Sequence, residues 1–468
     1  MVKYAKKPRV VVVGAGFGGL WAVRTLAEEP VDILVLDRNN YHTFLALLYQ
    51  VAAAELEAEA IAYPVRSIFR NLPEVDFALA SARSIDIERR VVKTDNQDFS
   101  YDYLILATGS VPHTFGVPGI EENAYFLKTL EEGVALKNHI ICCFERAAIL
   151  REKAEREGVL TFVIVGGGAT GVEYAGALSE LIHGPIVKEY RNIDFGSVRI
   201  ILLEAADSLV GNMPTLIQSY TIRRLRQMSV DVRLSMKVVA VSPEAVKLSG
   251  EEVIATQTVI WTAGVRGEFL ASLSGIPTAG DNRVPVLPTL QIPGHPEIYV
   301  VGDAARIQGN GSPLPMVAQV AIQSAVAAAK NIGLQIAGRK PLPFHYHDRG
   351  SMITIGRNAA GAAIGSWNFT GFFAWLLWLI IHLFNLIGFR NRVMVLINWA
   401  WDYLLYERAL RFVFPSRVSS RSQSPAGGFR TACKDEEPSA QIRTPETADN
   451  LRIKSEYPAD PKQKDEIR

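Results

Sequence analysis

Cysteine is scarce in this chain: three residues in 468, Cys142, Cys143 and Cys433. They form no CxxC pair, no zinc-ligand spacing and no disulfide framework, so no metal site is expected and a reducing compartment is. Cys142 and Cys143 lie in an apolar run and read as core. An excess of one sign of charge is missing too. A formal net charge of +1 leaves no broad basic field, which argues against nucleic acid as a partner. The opening MVKYAKKPRV has no apolar segment before the first strand, so no signal or transit peptide is expected ahead of the fold. No apolar run reaches the roughly 20 residues that a bilayer crossing wants. Length allows two or three domains, since 468 residues exceed one ordinary core.

Against these absences stands glycine placed in pattern. Thr161 to Gly176 reads TFVIVGGGATGVEYAG. A β-branched run turns at once into Gly166-Gly167-Gly168-Ala169-Thr170-Gly171 and then into a small-residue helix. Strand, tight turn and helix N-terminus in that order hold a dinucleotide pyrophosphate on backbone N–H groups. The pattern recurs near the N-terminus, where Val10 to Val13 lead into Gly14-Ala15-Gly16-Phe17-Gly18-Gly19. There Gly14 makes the turn, Gly16 admits the pyrophosphate closely, and Gly19 lets the helix pack on the sheet. Asp37 closes the next strand, placed to accept from a ribose diol; Glu204 closes the corresponding strand of the second unit. An acid there favours a free 2′-hydroxyl, hence NADH over NADPH. Two such folds in one chain imply two dinucleotides held close together, with electrons passed between them.

Tyr103 to Leu106 runs into Ala107-Thr108-Gly109-Ser110, and Trp261-Thr262-Ala263-Gly264 matches it in the second unit. The second fold therefore reads as inserted into the first. Ile298 to Val301 returns to the first fold and ends in Gly302-Asp303, a carboxylate suited to a ribityl hydroxyl. The aromatic segment Asn40 to Ala52, with Tyr49 and Gln50, suits the wall of an isoalloxazine or a substrate channel, with core packing as the alternative. Glu55 to Phe69 and Thr129 to Gly158 each read as one helix, and the helix after Gly171 is expected to stop near His183-Gly184-Pro185. Val75–Ala82 and Arg90–Thr94 read as a small antiparallel insertion. An alanine-rich helix opens at Pro315, and its Gln319 and Gln323 share one face.

The chain then changes character. Phe372 to Ile387 is apolar apart from His382 and Asn385, Arg390 and Arg392 follow, and Val393 to Leu405 is apolar again. Two apolar helices joined by a basic turn suit monotopic attachment to a bilayer surface. A buried dimer face and a true crossing are the alternatives. From Pro415 onward the composition is that of a disordered tail. The expected fold class is α/β, with two Rossmann-like dinucleotide-binding domains and a C-terminal membrane-attaching helical region. Its parts are an FAD-binding domain (1–125 and 267–340), an NADH-binding domain (126–266), a membrane-surface or dimer region (341–415) and the tail (416–468).

These motifs together resemble the type II NADH:quinone oxidoreductases, single-subunit flavoproteins that attach to the membrane surface and pump no protons. The likeness covers roughly Pro8 to Phe412. Gly14 to Gly19 is similar to the family's FAD fingerprint and Leu47 to Ala52 to its segment beside the flavin. Gly166 to Glu173 is similar to its NADH fingerprint, and Gly302-Asp303-Ala304 to its second flavin motif. Ala318 to Gln323 is similar to the AQxAxQ quinone-site signature, and Trp375 to Tyr406 to the C-terminal membrane element. Ala46 stands where proline is common and Ile353 where alanine is common; no EF-hand loop is present.

The resemblance implies FAD as cofactor, NADH as substrate and a membrane quinone, ubiquinone or menaquinone, as acceptor. It further implies a homodimer attached peripherally to the cytoplasmic side of the cell inner membrane. Glu173 would orient the nicotinamide or relay a proton, and Gln319 and Gln323 would contact the quinone carbonyl and flavin edge. FAD-side contacts are implied for Gly14, Gly16, Gly18, Gly19, Asp37, Tyr49, Gln50, Thr108, Gly109, Asp303 and Ala318. NADH-side contacts are implied for Gly166, Gly168, Gly171, Glu204 and Gly264. Rival readings lack their hallmarks. A sulfide:quinone oxidoreductase or a disulfide reductase needs redox cysteines that this chain does not place. A soluble NADH:ferredoxin or rubredoxin reductase has no need of Phe372 to Ile387. A flavin-bearing structural or signalling protein is told apart by NADH oxidation assayed with and without quinone.

Overall fold

Runs of valine, leucine and isoleucine without polar alternation build parallel sheets covered on both faces. The computed structural model describes residues 7–309 and 311–405; the expected tail, 416–468, lies outside the described residues. Its first sheet has six strands in the order Gln291–Ile292, His295–Val300, Tyr103–Leu106, Arg9–Val13, Asp32–Asp37 and Val75–Leu79. At its centre Val10, Val11 and Val12 are fully buried. They register with Ile33, Leu34 and Val35 on one side and with Tyr103, Leu104 and Ile105 on the other. Burial of each such side chain stabilises by about 1.5–3 kcal/mol, which anchors the loop that follows at Gly14.

The second sheet has five parallel strands, Ala124–Phe126, Thr258–Trp261, Thr161–Val165, Arg199–Leu203 and Val230–Arg233. All of it lies, in sequence, between two neighbours of the first sheet, since His295–Val300 pairs in parallel with Tyr103–Leu106. The outgoing and returning chains run side by side as an antiparallel ribbon, Ser110–Pro112 against Val265–Gly267. A third sheet, Ser351–Thr354, Ala360–Ile364 and Trp367–Gly371, is antiparallel. Helix Phe372–Asn385 packs on one face of it, Ala374 against Ala360 and Ala362. Helix Thr215–Gln227 packs so closely on the other that a Cβ on Gly361 would overlap Ile217. Helix Phe389–Leu405 follows. No described helix is long and apolar enough to cross a membrane.

Four local expectations are corrected. Glu55 to Phe69 is not one helix but Ala58–Ile61, the short strand Ala62–Pro64 and Val65–Phe69. Pro64 forces the residue before it out of helical geometry. The carbonyls of Glu59, Ala60 and Ala62 accept instead from Asn391 Nδ2, at 3.0–3.1 Å. Val75–Leu79 belongs to the edge of the first parallel sheet, and the antiparallel insertion starts only at Ala82. The stretch from Thr129 is two helices, Leu130–Ile149 and Lys153–Val159, parted by extended Leu150. The helix after Gly171 does not stop at Pro185; a π-turn, Ile182–Ile186, absorbs the missing N–H and the chain continues helically to Glu189.

Candidate active site

The first glycine loop is shaped by contacts that only glycine permits. Gly14 has φ +104°, and a side chain there would strike the Ala107 carbonyl. A Cβ on Gly19 would overlap the Gly14 oxygen. Gly16, by contrast, has nothing within 4 Å of where its Cβ would be. Space beside the backbone is kept there, at the N-terminus of helix Phe17–Leu26, whose first turn carries no acidic residue. Open N–H groups, the helix dipole and missing negative charge suit a pyrophosphate.

The second loop repeats this geometry. Gly166 has φ +111°, with a would-be Cβ 2.6 Å from Ala263 Cα. Gly171 is pressed onto the Gly166 carbonyl, and Gly168 again faces open space. Helix Ala169–Leu181 starts directly after it, also without an acid in its first turn. Each loop is tied to its acid in the same way. Asp37 accepts from Ala15 N at 2.6 Å and Asn39 N at 2.7 Å. Glu204 accepts from Gly167 N at 2.5 Å and Ala206 N at 2.8 Å. The acids thus shape their loops first, and carboxylate oxygens retain further lone pairs for a ribose. Burial pushes the Asp37 carboxyl above its ordinary range, against the pull of its backbone donors.

Around the first loop the remaining residues converge. Thr108 and Gly109 follow the strand Tyr103–Leu106, Gly109 in the left-handed region with open space beside it. A Cβ on Gly18 would lie 3.4 Å from Val301, which leads into the Gly302 turn and Asp303. Asp303 Oδ2 accepts from Ser110 Oγ at 2.6 Å. His42 bonds the Ala15 carbonyl through Nδ1, while its Nε2 is buried without a partner among the described residues. Burial holds that imidazole neutral, with its pKa lowered to about 4. Open backbone at Gly16, the Asp37 and Asp303 carboxylates and an orphaned ring nitrogen together fit FAD. At the second loop, Gly264 lies under Phe115, whose ring a Cβ would meet at 2.8 Å.

The glutamines part company. Ala318 is exposed and Gln319 half-buried, with its Oε1 enclosed and lacking a partner among the described residues. Gln323 is already committed: its Nε2 donates to the His347 carbonyl at 2.9 Å and its Oε1 accepts from His347 N at 3.0 Å. The two glutamines share a helix face; Gln319 has its oxygen unpartnered among the described residues, while Gln323 is anchored to the His347 backbone and keeps one N–H and one lone pair beyond that anchor.

Glu173 opens onto a cleft of about 390 Å³ that includes Tyr49 and Gln50, from the aromatic segment that suits a channel wall, and whose C-terminal side the sequence did not reveal. Helix Ala169–Leu181 supplies Glu173, the segment Leu48–Ala52 supplies Tyr49 and Gln50, and Trp378, Trp399 and Tyr403 come from the two C-terminal helices. Gln50 bridges these parts, donating to Tyr49 Oη at 2.9 Å and accepting from Trp399 Nε1 at 2.9 Å. Thr354 N lies 3.4 Å from Glu173 Oε1, a weak donor for a carboxylate in an apolar setting. Burial therefore raises the Glu173 pKa from 4.5 to about 8. Glu180, Arg357 and Asp402 also line the cleft. Glu173 and Glu180 fall on one helix face, the one signal that spacing alone offered. Trp378 is in the core, stacked on His382 at 4.0 Å. Cys142 and Cys143 are buried in helix Leu130–Ile149, and Cys143 neighbours His139 and Thr258.

A model of the pyridine nucleotide-disulphide oxidoreductase family matches residues 8–325. Type II NADH:quinone oxidoreductase Ndh of Mycobacterium tuberculosis is 35% identical over 433 residues, 89% of this chain and 93% of that protein. NdhA of the same organism is 37% identical over 413 residues, 85% and 87% of the two chains. Among solved structures, NDH2 from Plasmodium falciparum shares the fold with a TM-score of 0.79 at 18% identity, covering 86% of this chain and 99% of its own. The sulfide:quinone oxidoreductase of Aquifex aeolicus does so with a TM-score of 0.68 at 19% identity, covering 86% and 96%. Within the pyridine nucleotide-disulphide oxidoreductases, the chain belongs to the type II NADH:quinone oxidoreductase family.

Proposed function

We infer that this chain catalyses NADH + H⁺ + quinone → NAD⁺ + quinol at a membrane, with FAD as its cofactor and without proton pumping. The observation that carries this is the pair of matched glycine loops, each with an open position before a helix, within a fold whose third layer adds an aromatic cleft. Bound FAD supplies the two-electron chemistry between donor and acceptor. The residues hold it by the N–H groups after Gly16 and by Asp37 and Asp303. NADH is held in the second loop, by the N–H groups after Gly168 and by Glu204, whose charge disfavours a 2′-phosphate.

The quinone enters through the cleft between the C-terminal helices and Glu173. With its pKa near 8, Glu173 carries a proton at neutral pH and is placed to hand it to a reduced quinone oxygen. The free Gln319 amide is the second quinone contact, while Gln323 fixes the chain at His347. Phe373, Ile380 and Phe384 are 77%, 55% and 76% exposed and form the lipid-facing surface. The enzyme works as a homodimer, attached peripherally to the cytoplasmic face of the inner membrane.

The two half-reactions test this reading. Purified protein should carry FAD, be bleached by NADH without oxygen and regain its colour on adding a quinone analogue. Gln319→Leu should spare bleaching and slow recolouring by about 5- to 150-fold, the effect of a lost hydrogen bond worth about 1–3 kcal/mol. Phe373→Glu with Phe384→Glu should release the protein from vesicles without disturbing the core. Flavin that NADH reduces but no quinone reoxidises would overturn the assignment of the acceptor.

A further inference from the structure

Lys128 sits where strand Ala124–Phe126 hands over to the capped helix Leu130–Ile149. Its own N–H is fixed by Glu132 Oε2 at 2.8 Å, so the backbone under its side chain cannot drift. The ammonium donates to Ser110 Oγ at 2.8 Å, and that hydroxyl donates to Asp303 Oδ2 at 2.6 Å. Lys128 Nζ itself lies 3.8 Å from the same oxygen, with the two side chains only 25% and 18% exposed. The three residues come from three places: the outgoing strand of the ribbon, the entry to the second unit, and the turn at which the chain rejoins the first. Asp303 Oδ1 makes no hydrogen bond among the described residues. One carboxylate oxygen is therefore fastened, and the other is presented.

We propose that Lys128 is a positioning residue for the flavin, holding Asp303 through Ser110 and supplying a positive charge that makes the bound FAD easier to reduce. This rests on the reading that Asp303 binds FAD. Without the ammonium, Asp303 is an uncompensated negative charge beside the cofactor. Adding electrons there becomes less favourable, and the carboxylate loses the partner that orients it. A cation in a partly buried site is screened less than one in open solvent, so its effect reaches the cofactor.

The test is the midpoint potential of the FAD-loaded enzyme, read from flavin absorbance in an anaerobic redox titration. Lys128→Met should shift the two-electron equilibrium against reduction about tenfold, about 30 mV lower, and raise the FAD dissociation constant by a similar factor. Lys128→Arg should restore both. Ser110→Ala keeps both charges and should give a smaller shift of the same sign; it also serves if the methionine variant does not fold. In an Asp303→Asn background the same lysine change should no longer weaken FAD binding, since no carboxylate is left to hold, while the lost charge should still lower the potential. An unchanged potential in Lys128→Met and Ser110→Ala, with FAD bound and only thermal stability reduced, makes the trio a plain staple and overturns the inference. If instead Asp303→Asn leaves FAD affinity untouched, the assignment of the flavin site is what fails.

Discussion

The two glycine loops have the same backbone and differ in what covers them. In the first, Gly18 is buried against Val301, and Phe17 stands edge-on to His42 and Phe44, ring centroids 5.2 and 5.7 Å away. Helix Ala318–Ile336 then closes over helix Phe17–Leu26. Gly16 and Gly168 are exposed alike, but in the second loop Ala169 and Thr170, which match Phe17 and Gly18, are exposed too. A covered loop suits a group that stays; an open one suits a group that must leave after each turnover. The helices diverge in the same sense. Where the first has Trp21, exposed and under Arg24, the second has Glu173 facing the cleft. On the proposed function, one fold used twice serves as a holder for FAD and as a work station for NADH.

The largest expected effect sharpens this contrast at its most alike positions. Gly16 and Gly168 have φ −74° and −72°, with nothing near their Cβ positions, so alanine fits both without strain. Gly16→Ala should yield folded protein that purifies without FAD. Gly168→Ala should keep FAD and raise KM for NADH about 100-fold, about 2.7 kcal/mol. Flavin content by absorbance and steady-state kinetics separate the two. If Gly168→Ala loses flavin while Gly16→Ala keeps it, resident and visitor have been assigned the wrong way round.

The acids give a smaller contrast. Asp37→Ala strands the N–H of Ala15, a residue only 2% exposed, at a cost of about 1–3 kcal/mol, and should lower FAD retention. Glu204→Ala strands Gly167 N and removes the charge proposed to disfavour a 2′-phosphate. It should narrow the NADH over NADPH preference about tenfold, measured as the ratio of kcat/KM values. Equal selectivity in the variant and its parent would detach Glu204 from the ribose.

What the sequence disclosed follows from how local each constraint is. Gly14 and Gly166 are legible because a turn at positive φ, next to another strand's backbone, leaves glycine little competition. The inserted second fold was legible because Thr108-Gly109 and Ala263-Gly264 repeat a strand end. Of the cleft only the Tyr49–Gln50 wall was legible; its other side was not, because Trp399 reaches Gln50, and Asn391 reaches Glu59, only after the whole chain has folded between them. Gln323 shows the same limit from the other side. Helical spacing put it beside Gln319, but no spacing reveals that the His347 backbone will claim its amide. Pro64 is readable in principle; it sits inside the segment Glu55 to Phe69, whose composition predicts one helix.

The smallest effect concerns the position where the two helices differ most. Glu173 has its pKa raised from 4.5 to about 8 because burial penalises the charged form. The folded state therefore keeps this proton to a higher pH than the unfolded state does. Stability is unaffected below 4.5, falls as pH rises from there towards about 8, and levels off beyond it. Gln cannot ionise, so Glu173→Gln should match the parent in acid and melt higher in base, by about 1–2 °C for each kcal/mol of relief in a unit of this size. Thermal melts across that range, with FAD in excess, measure the difference directly. The same variant should oxidise NADH with a quinone more slowly at neutral pH, since the carboxyl proton beside the cleft is gone, while flavin reduction by NADH holds. A melting difference that stays flat with pH means Glu173 ionises normally, and the second helix has no special acid to set against Trp21 in the first.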